Sequence, residues 1–427
     1  MHVLILIDQF AAGGLETHLL GKVDALRRLG VRVTCMGARL SDMAPPDFQR
    51  LDLAKDIPAS RFLAEVARLT AFCQTEQVTH IHCHCPFVGV LGACVSVRCN
   101  IPYFLTIHGM FQAARKVNQT LGLLISKMVF PCAAAVYPVS SAARDCIVAT
   151  HGVPQQDQTV MMNVVGNWQR SPPAPPGHGK WAFVARHEKE HVDALRHLVA
   201  AMPSLPISSL HVFGDGAESE RARAMTADNP AVEFHGFVEN ISERLAEFDG
   251  IACHGERVFL ETMAAGRPCL ICHRDGVIGL SSPSLIERTR FSNFTGEGQS
   301  NISIQTLQRD WERLIGQDNI RACQDRLRPD HDVDLIWARY VKTALRGHLP
   351  PKDRSSLEVA LAAAHKLDDG NLIFCRPDFL GHMKDTLPPD SQMVSALNDT
   401  GFVLMRSEIT TLRRKLRVLR RTSLPAN

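Results

Sequence analysis

The feature that most constrains this chain is a repeated alternation of strand-like and helix-like hydrophobic patterns. Residues 2–8 (HVLILID) form a continuous apolar run, which is typical of a parallel strand covered on both faces. Leucines and valines at helical spacing follow over residues 15–26, and residues 31–36 (VRVTCM) return to a strand pattern. Strand, helix, strand is the building unit of a doubly wound α/β sheet.

The alternation is interrupted once. Residues 171–180 (SPPAPPGHGK) contain four prolines and two glycines, a composition typical of a linker. Further strand patterns lie before the linker at 78–82, 103–107 and 134–139, and beyond it at 181–184, 209–213, 232–235, 250–253 and 268–272.

We therefore predict an α/β fold with two Rossmann-like, doubly wound domains, residues 1–170 and 171–346, that face each other across a cleft. From residue 347 the pattern becomes helical, so residues 347–427 are predicted to be a helical appendage. Sheets of this kind bind ligands at the carboxyl ends of their strands, so the predicted ligand site lies between the two domains.

The composition is that of an ordinary folded protein. Of 427 residues, 45% are hydrophobic and 21% are charged, and the net charge of +3 indicates no particular partner. The 13 cysteines are irregularly spaced, and the one C-x-x-C, residues 269–272, encloses only apolar residues, which favours reduced thiols. The start of the chain lacks a basic signal region, and no apolar run of about 18 residues is free of charge. We expect a cytoplasmic protein.

Gly13 and Gly14 lie between the first strand and its helix. Without Cβ atoms the backbone can approach a phosphate, which the free N–H groups of the first helical turn would face. A tight turn alone would explain the same pair. The spaced G-x-G-x-x-G of a dinucleotide binder is missing, which argues against a nicotinamide enzyme.

Several segments, in order, resemble the retaining family-four glycosyltransferases, a group with the GT-B fold. They include FAAGGLETHLL (10–20), VTHIHCHCPFVGVLGA (78–93), IPYFLTIHG (101–109) and FLETMAAGRPCL (259–270). The resemblance covers roughly residues 1–345. It implies metal-independent, retaining transfer of a sugar from a nucleotide-sugar to a glycan or lipid-linked acceptor, with no cofactor, in assembly of envelope polysaccharide or glycolipid.

The resemblance also implies roles for residues of the first half. Gly13 and Gly14 would face the donor phosphates, and His108, in T-x-H-G, would contact the donor sugar as a catalytic residue. His82 and His84 are two residues apart on a strand, so their side chains are predicted to share one face. Packing and metal binding are both open for this pair.

In the second half, ARHEKEH resembles the family segment that grips the donor phosphates. Arg186 would hold the diphosphate, and Lys189 would assist, although it stands one residue before the expected lysine position, which Glu190 occupies. Cations at this place would stabilise charge that builds up on the departing diphosphate without a metal.

Two glutamates are expected to contact the donor. Glu261 would accept hydrogen bonds from the ribose, as the second glutamate of the family's E-x(7)-E does, but the first position holds Cys253. Glu256 is the candidate substitute. Gly214, Gly236 and Val238 lie at strand ends where the family has backbone contacts to the donor; turn formation alone would also explain the glycines.

The last residues form a basic amphipathic pattern, with seven basic residues and one acid from Leu404 onward. Its apolar positions repeat at helical spacing: Met405, Ile409, Leu412, Leu416 and Leu419. Residues 402–421 are predicted to mediate self-association or peripheral contact with the inner face of a membrane, and nucleic acid is not an expected partner.

Two other functions fit the same fold. A sugar-nucleotide epimerase would require paired acids, which are not found at motif positions. A non-catalytic scaffold would explain the missing first glutamate.

Overall fold

The structure is a computed structural model that describes residues 1–10, 14–41, 44–54, 57, 59–109, 125, 129–169 and 177–347. Gly13, most of the predicted linker, and the predicted appendage after Gly347 with its basic tail lie outside the described residues.

The first sheet has six parallel strands in the order β3-β2-β1-β4-β5-β6, the doubly wound order expected for a Rossmann-like domain. The strands are β1 His2–Phe10, β2 Arg32–Leu40, β3 Gln49–Arg50, β4 His80–Cys83, β5 Tyr103–Ile107 and β6 Ala135–Pro138. All but the two-residue β3 were predicted from the sequence.

In the described part of this unit, the longer helices are α1 Gly14–Arg28, α2 Ala59–Thr75, α3 Pro86–Cys99 and α4 Ser141–His151, and a short helical turn covers Phe130–Cys132. Helix α3 packs unusually close to the strands because it carries glycine where it crosses them. A Cβ at Gly92 would lie 2.3 Å from Cys83 Sγ. Helix α4 is capped at both ends. Ser140 is its N-cap, with Oγ accepting from the backbone N–H of Ala143, and Gly152 is its C-cap, in the left-handed conformation.

The second sheet has the order β12-β11-β10-β7-β8-β9. Its strands are β7 Lys180–Val184, β8 Ser209–Phe213, β9 Val232–Gly236, β10 Gly250–Cys253, β11 Cys269–His273 and β12 Gly276–Leu280. Five strands are parallel, and the edge strand β12 runs antiparallel to β11 through a tight turn. The glycines of β12 (GVIGL) hid this strand from the sequence pattern, since glycine has a low strand propensity.

The helices of the second half are α5 Lys189–Ala201, α6 Ser219–Thr226, α7 Glu256–Ala264, α8 Pro283–Thr289, α9 Ile304–Ile315, α10 Gln317–His331 and α11 Val333–Tyr340. Helix α11 returns to the first sheet and packs against α1. There Trp337 and Tyr340 join the hydrophobic core that contains Leu19 and Val23. The predicted pair of Rossmann-like units is confirmed.

The two units also meet near the end of the first one. Val165 forms a parallel bridge with Asp332, through backbone hydrogen bonds to His331 and Val333. Within the part of the chain that the structure describes, no helix combines the length and the apolar character needed to cross a bilayer.

Candidate active site

The carboxyl edge of the first sheet carries a buried cluster of basic side chains. His82 lies in β4 and His84 directly after it, while His108 follows β5. His18 and Lys22 face them from α1, one helical turn apart. The ring centroid of His84 lies 4.8 Å from that of His82 and 5.1 Å from that of His108, so the three imidazoles form one stack.

Lys22 connects this cluster. Its Nζ lies 2.7 Å from His82 Nδ1 and 3.0 Å from His84 Nε2, and the side chain is completely buried. The amine also sits 5.1 Å from the Trp337 ring centroid. Burial lowers the pKa of Lys22 well below its ordinary value, so the neutral amine is favoured. The sequence analysis missed Lys22; the available signal was a lysine on the apolar stripe of α1.

These contacts decide between the two readings of the histidine pair. As predicted, His82 and His84 share one face. His82 Nε2 lies 2.7 Å from Thr106 Oγ1, and His84 Nδ1 lies 2.9 Å from His108 Nε2. Because every ring nitrogen of the pair already faces Lys22, Thr106 or His108, we interpret the pair as packed and hydrogen-bonded.

The network determines the form of His108. Burial lowers the pKa of His108 to about 3. If Lys22 donates to His84 Nε2, the proton of His84 is on Nδ1 and points to His108 Nε2. His108 is then a neutral imidazole protonated on Nδ1, which suits hydrogen bonding to sugar hydroxyls and rules out a fixed positive charge at neutral pH.

The corresponding edge of the second sheet is charged and exposed. Arg186 follows β7, with 65% of its side chain exposed, and its Nη1 lies 3.0 Å from Glu188 Oε1. Such an exposed ion pair is weak, so an incoming anion can compete for the guanidinium. Lys189 is the exposed first residue of α5, whereas Glu190 pairs with Arg274 at 3.5 Å.

Glu256 lies beside this group. It is the first residue of α7 and has a φ of 54°, a conformation that few non-glycine residues adopt. Its backbone N–H donates to Asn293 O. Water reaches the side chain, but the surrounding protein desolvates the carboxylate and raises its pKa, an effect that nearby Arg186 opposes. The Glu256 carboxylate therefore interacts electrostatically with the Arg186 guanidinium.

Cys253 occupies the position where the family motif predicts the first glutamate. It is the last residue of β10, is fully buried, and its Sγ lies 3.5 Å from Cys269 Sγ. This side chain is part of the core beneath the strand ends. Of the two candidates, only Glu256 presents a polar group at the surface.

Glu261 is engaged within the protein. Its Oε1 accepts from Arg257 Nε at 2.7 Å, and the exposed side-chain fractions are 12% for Glu261 and 15% for Arg257. Arg257 also donates from Nη1 to Val164 O, at the end of the first unit, and its charge reaches His18. Arg257, also missed in the sequence, thus connects the two halves.

The glycines at the strand ends differ in role. Gly214 has a φ of +128°, and a Cβ there would lie 1.8 Å from Ala185 O, so packing alone requires glycine. Its N–H donates to Gly236 O at 2.8 Å, which leaves that amide unavailable to a ligand. Gly236 has a φ of +70° with open space around its Cβ position, and Val238 is partly buried against the core. Gly14 begins α1, as the phosphate-loop prediction requires.

Both halves match family models, in the order expected from the sequence. Residues 12–165 match Glycosyltransferase Family 4, and residues 179–282 match Glycosyl transferases group 1. Together these matches cover more than half of the chain. The chain belongs to the family-four glycosyltransferases. It is therefore an enzyme that transfers sugar from a nucleotide-sugar.

Solved structures show the same architecture. HepE from Anabaena in complex with UDP has 16% identity and a TM-score of 0.59, with 81% of this chain and 100% of that chain covered. The lipopolysaccharide outer core galactosyltransferase WaaB has 15% identity and a TM-score of 0.57, with 81% and 99% covered. Sucrose-phosphate synthase from Thermosynechococcus elongatus has 16% identity and a TM-score of 0.57, with 81% and 99% covered. At these identities the likeness shows the fold, which is GT-B. No curated protein sequence matches the chain significantly.

Proposed function

We propose that this glycosyltransferase moves a sugar from a nucleotide diphosphate to a glycan or lipid-linked acceptor, with retention of anomeric configuration and without a metal ion. The acceptor class follows from the resemblance in sequence, which also suggests envelope polysaccharide or glycolipid assembly. The observation that carries the proposal is the contrast between the carboxyl edges of the two sheets. The edge of the first sheet carries buried, neutral side chains, and the edge of the second sheet carries exposed cations.

The open edge suits the donor diphosphate. Arg186 is in an exposed ion pair with Glu188, so its guanidinium can turn to phosphate oxygens in the planar, bidentate geometry that arginine provides. Lys189 adds a second exposed cation at the start of α5. Negative charge grows on the diphosphate as its bond to the sugar breaks, and these cations stabilise it most in the transition state.

The buried edge suits the sugar. His108 is neutral and is held by His84, which in turn contacts Lys22. A fixed imidazole can distinguish hydroxyl positions without repelling Arg186. Glu256 replaces the missing first glutamate as an acceptor for sugar hydroxyls, because it is an exposed residue at this edge whose carboxylate interacts with Arg186.

Glu261 is proposed to accept from the ribose hydroxyls with the oxygen that Arg257 does not use. The Arg257–Glu261 ion pair would hold that carboxylate in place. Since Arg257 also contacts Val164 O, ribose binding at this point would be sensitive to the relative position of the two halves.

A donor panel tests the proposal. We would incubate the full-length protein with nucleotide-sugars, UDP-sugars first because HepE was solved with UDP-glucose, and measure nucleotide release and product stereochemistry by proton NMR. Retained configuration, with rates unchanged after exhaustive EDTA treatment, is the expected result. An inverted product, or activity lost with EDTA and restored by manganese, contradicts it. Binding of a nucleotide-sugar without turnover would favour the alternative of a non-catalytic scaffold.

A further inference from the structure

Three potential metal ligands to which no role has been assigned so far share one face of the second sheet. His211 lies on β8 and faces Glu233 directly on the neighbouring edge strand β9. His235 is two residues further along β9, so its side chain emerges on the same face. Among the described residues, this is the one group of three that comes together with metal-ligand geometry.

The distances suit a small ion. His211 Nδ1 lies 2.9 Å from His235 Nε2 and 3.4 Å from Glu233 Oε2. His235 Nε2 lies 3.7 Å from Glu233 Oε1. Zinc bonds of about 2.0–2.2 Å in tetrahedral geometry place ligand atoms about 3.3 Å apart, so shifts of a few tenths of an ångström suffice.

The surroundings hold the two imidazoles in place. The rings of His211 and His235 stack at 5.1 Å, and Phe213 stacks on His235 at 4.7 Å. Glu233 is 65% exposed, which leaves an open side for water as a fourth ligand. Burial, with smaller effects from the nearby Lys180, His235 and Arg244, lowers the pKa of His211, and Glu233 opposes this shift. The lowered pKa favours the neutral form that binds metal.

We propose that His211, Glu233 and His235 bind one divalent ion of the zinc type. Two imidazoles and a carboxylate are ligands that zinc accepts, with water in the remaining position. Before binding, one of the two imidazoles donates its proton in the 2.9 Å contact between His211 Nδ1 and His235 Nε2. On binding, that proton moves through solvent to the other nitrogen of the same ring, so that both facing nitrogens offer a lone pair to the ion. The ion joins β9 to β8 and so stabilises the sheet edge that leads to Gly214 and Gly236. It is a structural site and takes no part in sugar transfer.

The test compares metal-stripped full-length protein with Glu233→Gln and His235→Gln. Zinc is titrated calorimetrically, and cobalt serves as a second probe because its visible spectrum reports tetrahedral nitrogen and oxygen ligation. The wild type should bind one equivalent more than the variants, or bind it at least about tenfold more tightly, and zinc should raise its melting temperature. Because Glu233 is exposed, Glu233→Gln should fold normally.

His178→Gln is the matched control, since His178 is exposed and lies outside the cluster. It should bind zinc as the wild type does. Equal stoichiometry and affinity in wild type, Glu233→Gln and His235→Gln would overturn the site, as would binding that the control substitution weakens equally. Weakened zinc binding in the two ligand variants, with unchanged transfer rates, supports it.

Discussion

The two sheets present opposite environments at corresponding strand ends. After β4 and β5, His84 is enclosed and His108 is partly exposed; the two are hydrogen-bonded to each other and connected to the buried Lys22. After β7, Arg186 and Lys189 are exposed, and Arg186 forms an exposed ion pair with Glu188. One fold thus supplies both a largely buried neutral surface and an exposed surface that carries cations.

The difference follows from what each side must recognise. A sugar is neutral, and its hydroxyls are distinguished by fixed donors and acceptors, which burial keeps in place. A diphosphate carries charge that must be stabilised as it grows, and exposed cations avoid the cost of desolvation before the ligand arrives. The interaction of Arg257 with Glu261 and with Val164 O lies where the two environments meet.

The largest expected effect is on the cationic side. Arg186→Ala should lower kcat/KM for the nucleotide-sugar by about 10²–10³, because one contact that stabilises transition-state charge is lost. Its melting temperature should stay unchanged, since the side chain is exposed. Arg313→Ala, in another exposed arginine with a weak ion pair, is the control. Normal steady-state kinetics in folded Arg186→Ala would remove the phosphate site.

The next effect is the pH dependence of folding stability that His108 causes at the buried edge of the first sheet. Burial lowers the pKa of His108 from 6.5 to about 3. Between these two pH values, His108 is protonated in the unfolded chain and neutral in the folded protein. This contribution to stability is complete above pH 6.5 and is lost as pH falls towards 3. At pH 5 the loss is about 2 kcal/mol for one such histidine.

Urea unfolding at pH 7.5 and pH 5 measures it. His108→Asn should lose less stability than the wild type between these two pH values, whereas His178→Gln should behave as the wild type does. Equal pH dependence in all three proteins would mean that His108 is not the buried neutral group described here.

The smallest effect is at the junction of the two halves. Glu261→Gln should raise KM for the donor about tenfold, since a charged acceptor for the ribose is weakened, with a small change in kcat. A donor lacking the ribose 2′- and 3′-hydroxyls provides the check. It should bind the wild type more weakly than the normal donor and should bind Glu261→Gln about as well as the normal donor does. Equal discrimination by both proteins would contradict the ribose assignment.

Much of the architecture could be predicted because buried strands and helices have hydrophobic patterns that are visible in the sequence. Continuous apolar runs located ten strands to within a few residues, and the spacing of His82 and His84 placed both on one face. The chemistry of those histidines could not be predicted. Lys22 lies about 60 residues from its histidine partners, and Tyr340 OH contacts His82 Nδ1 from the far end of the described chain.

The remaining differences have the same origin. The motif alignment identified Cys253 as a substitution, but only packing shows that this side chain lies in the core while Glu256 reaches the surface. The sequence suggested that Glu261 accepts hydrogen bonds from the ribose, and only the turn of α7 shows that Arg257 lies against the same carboxylate. The cluster of His211, Glu233 and His235 depends on the register of β8 with β9, which no local pattern records.

The sequence by itself determined the two α/β units, their order and the family. It did so because strand and helix periodicity, glycine positions and motif order are local properties of the chain. The tertiary structure decided which side chains are charged, which are paired and which are open to water. Those properties depend on partners brought from distant elements, and the free energy of a buried lysine or histidine is set by the groups packed around it.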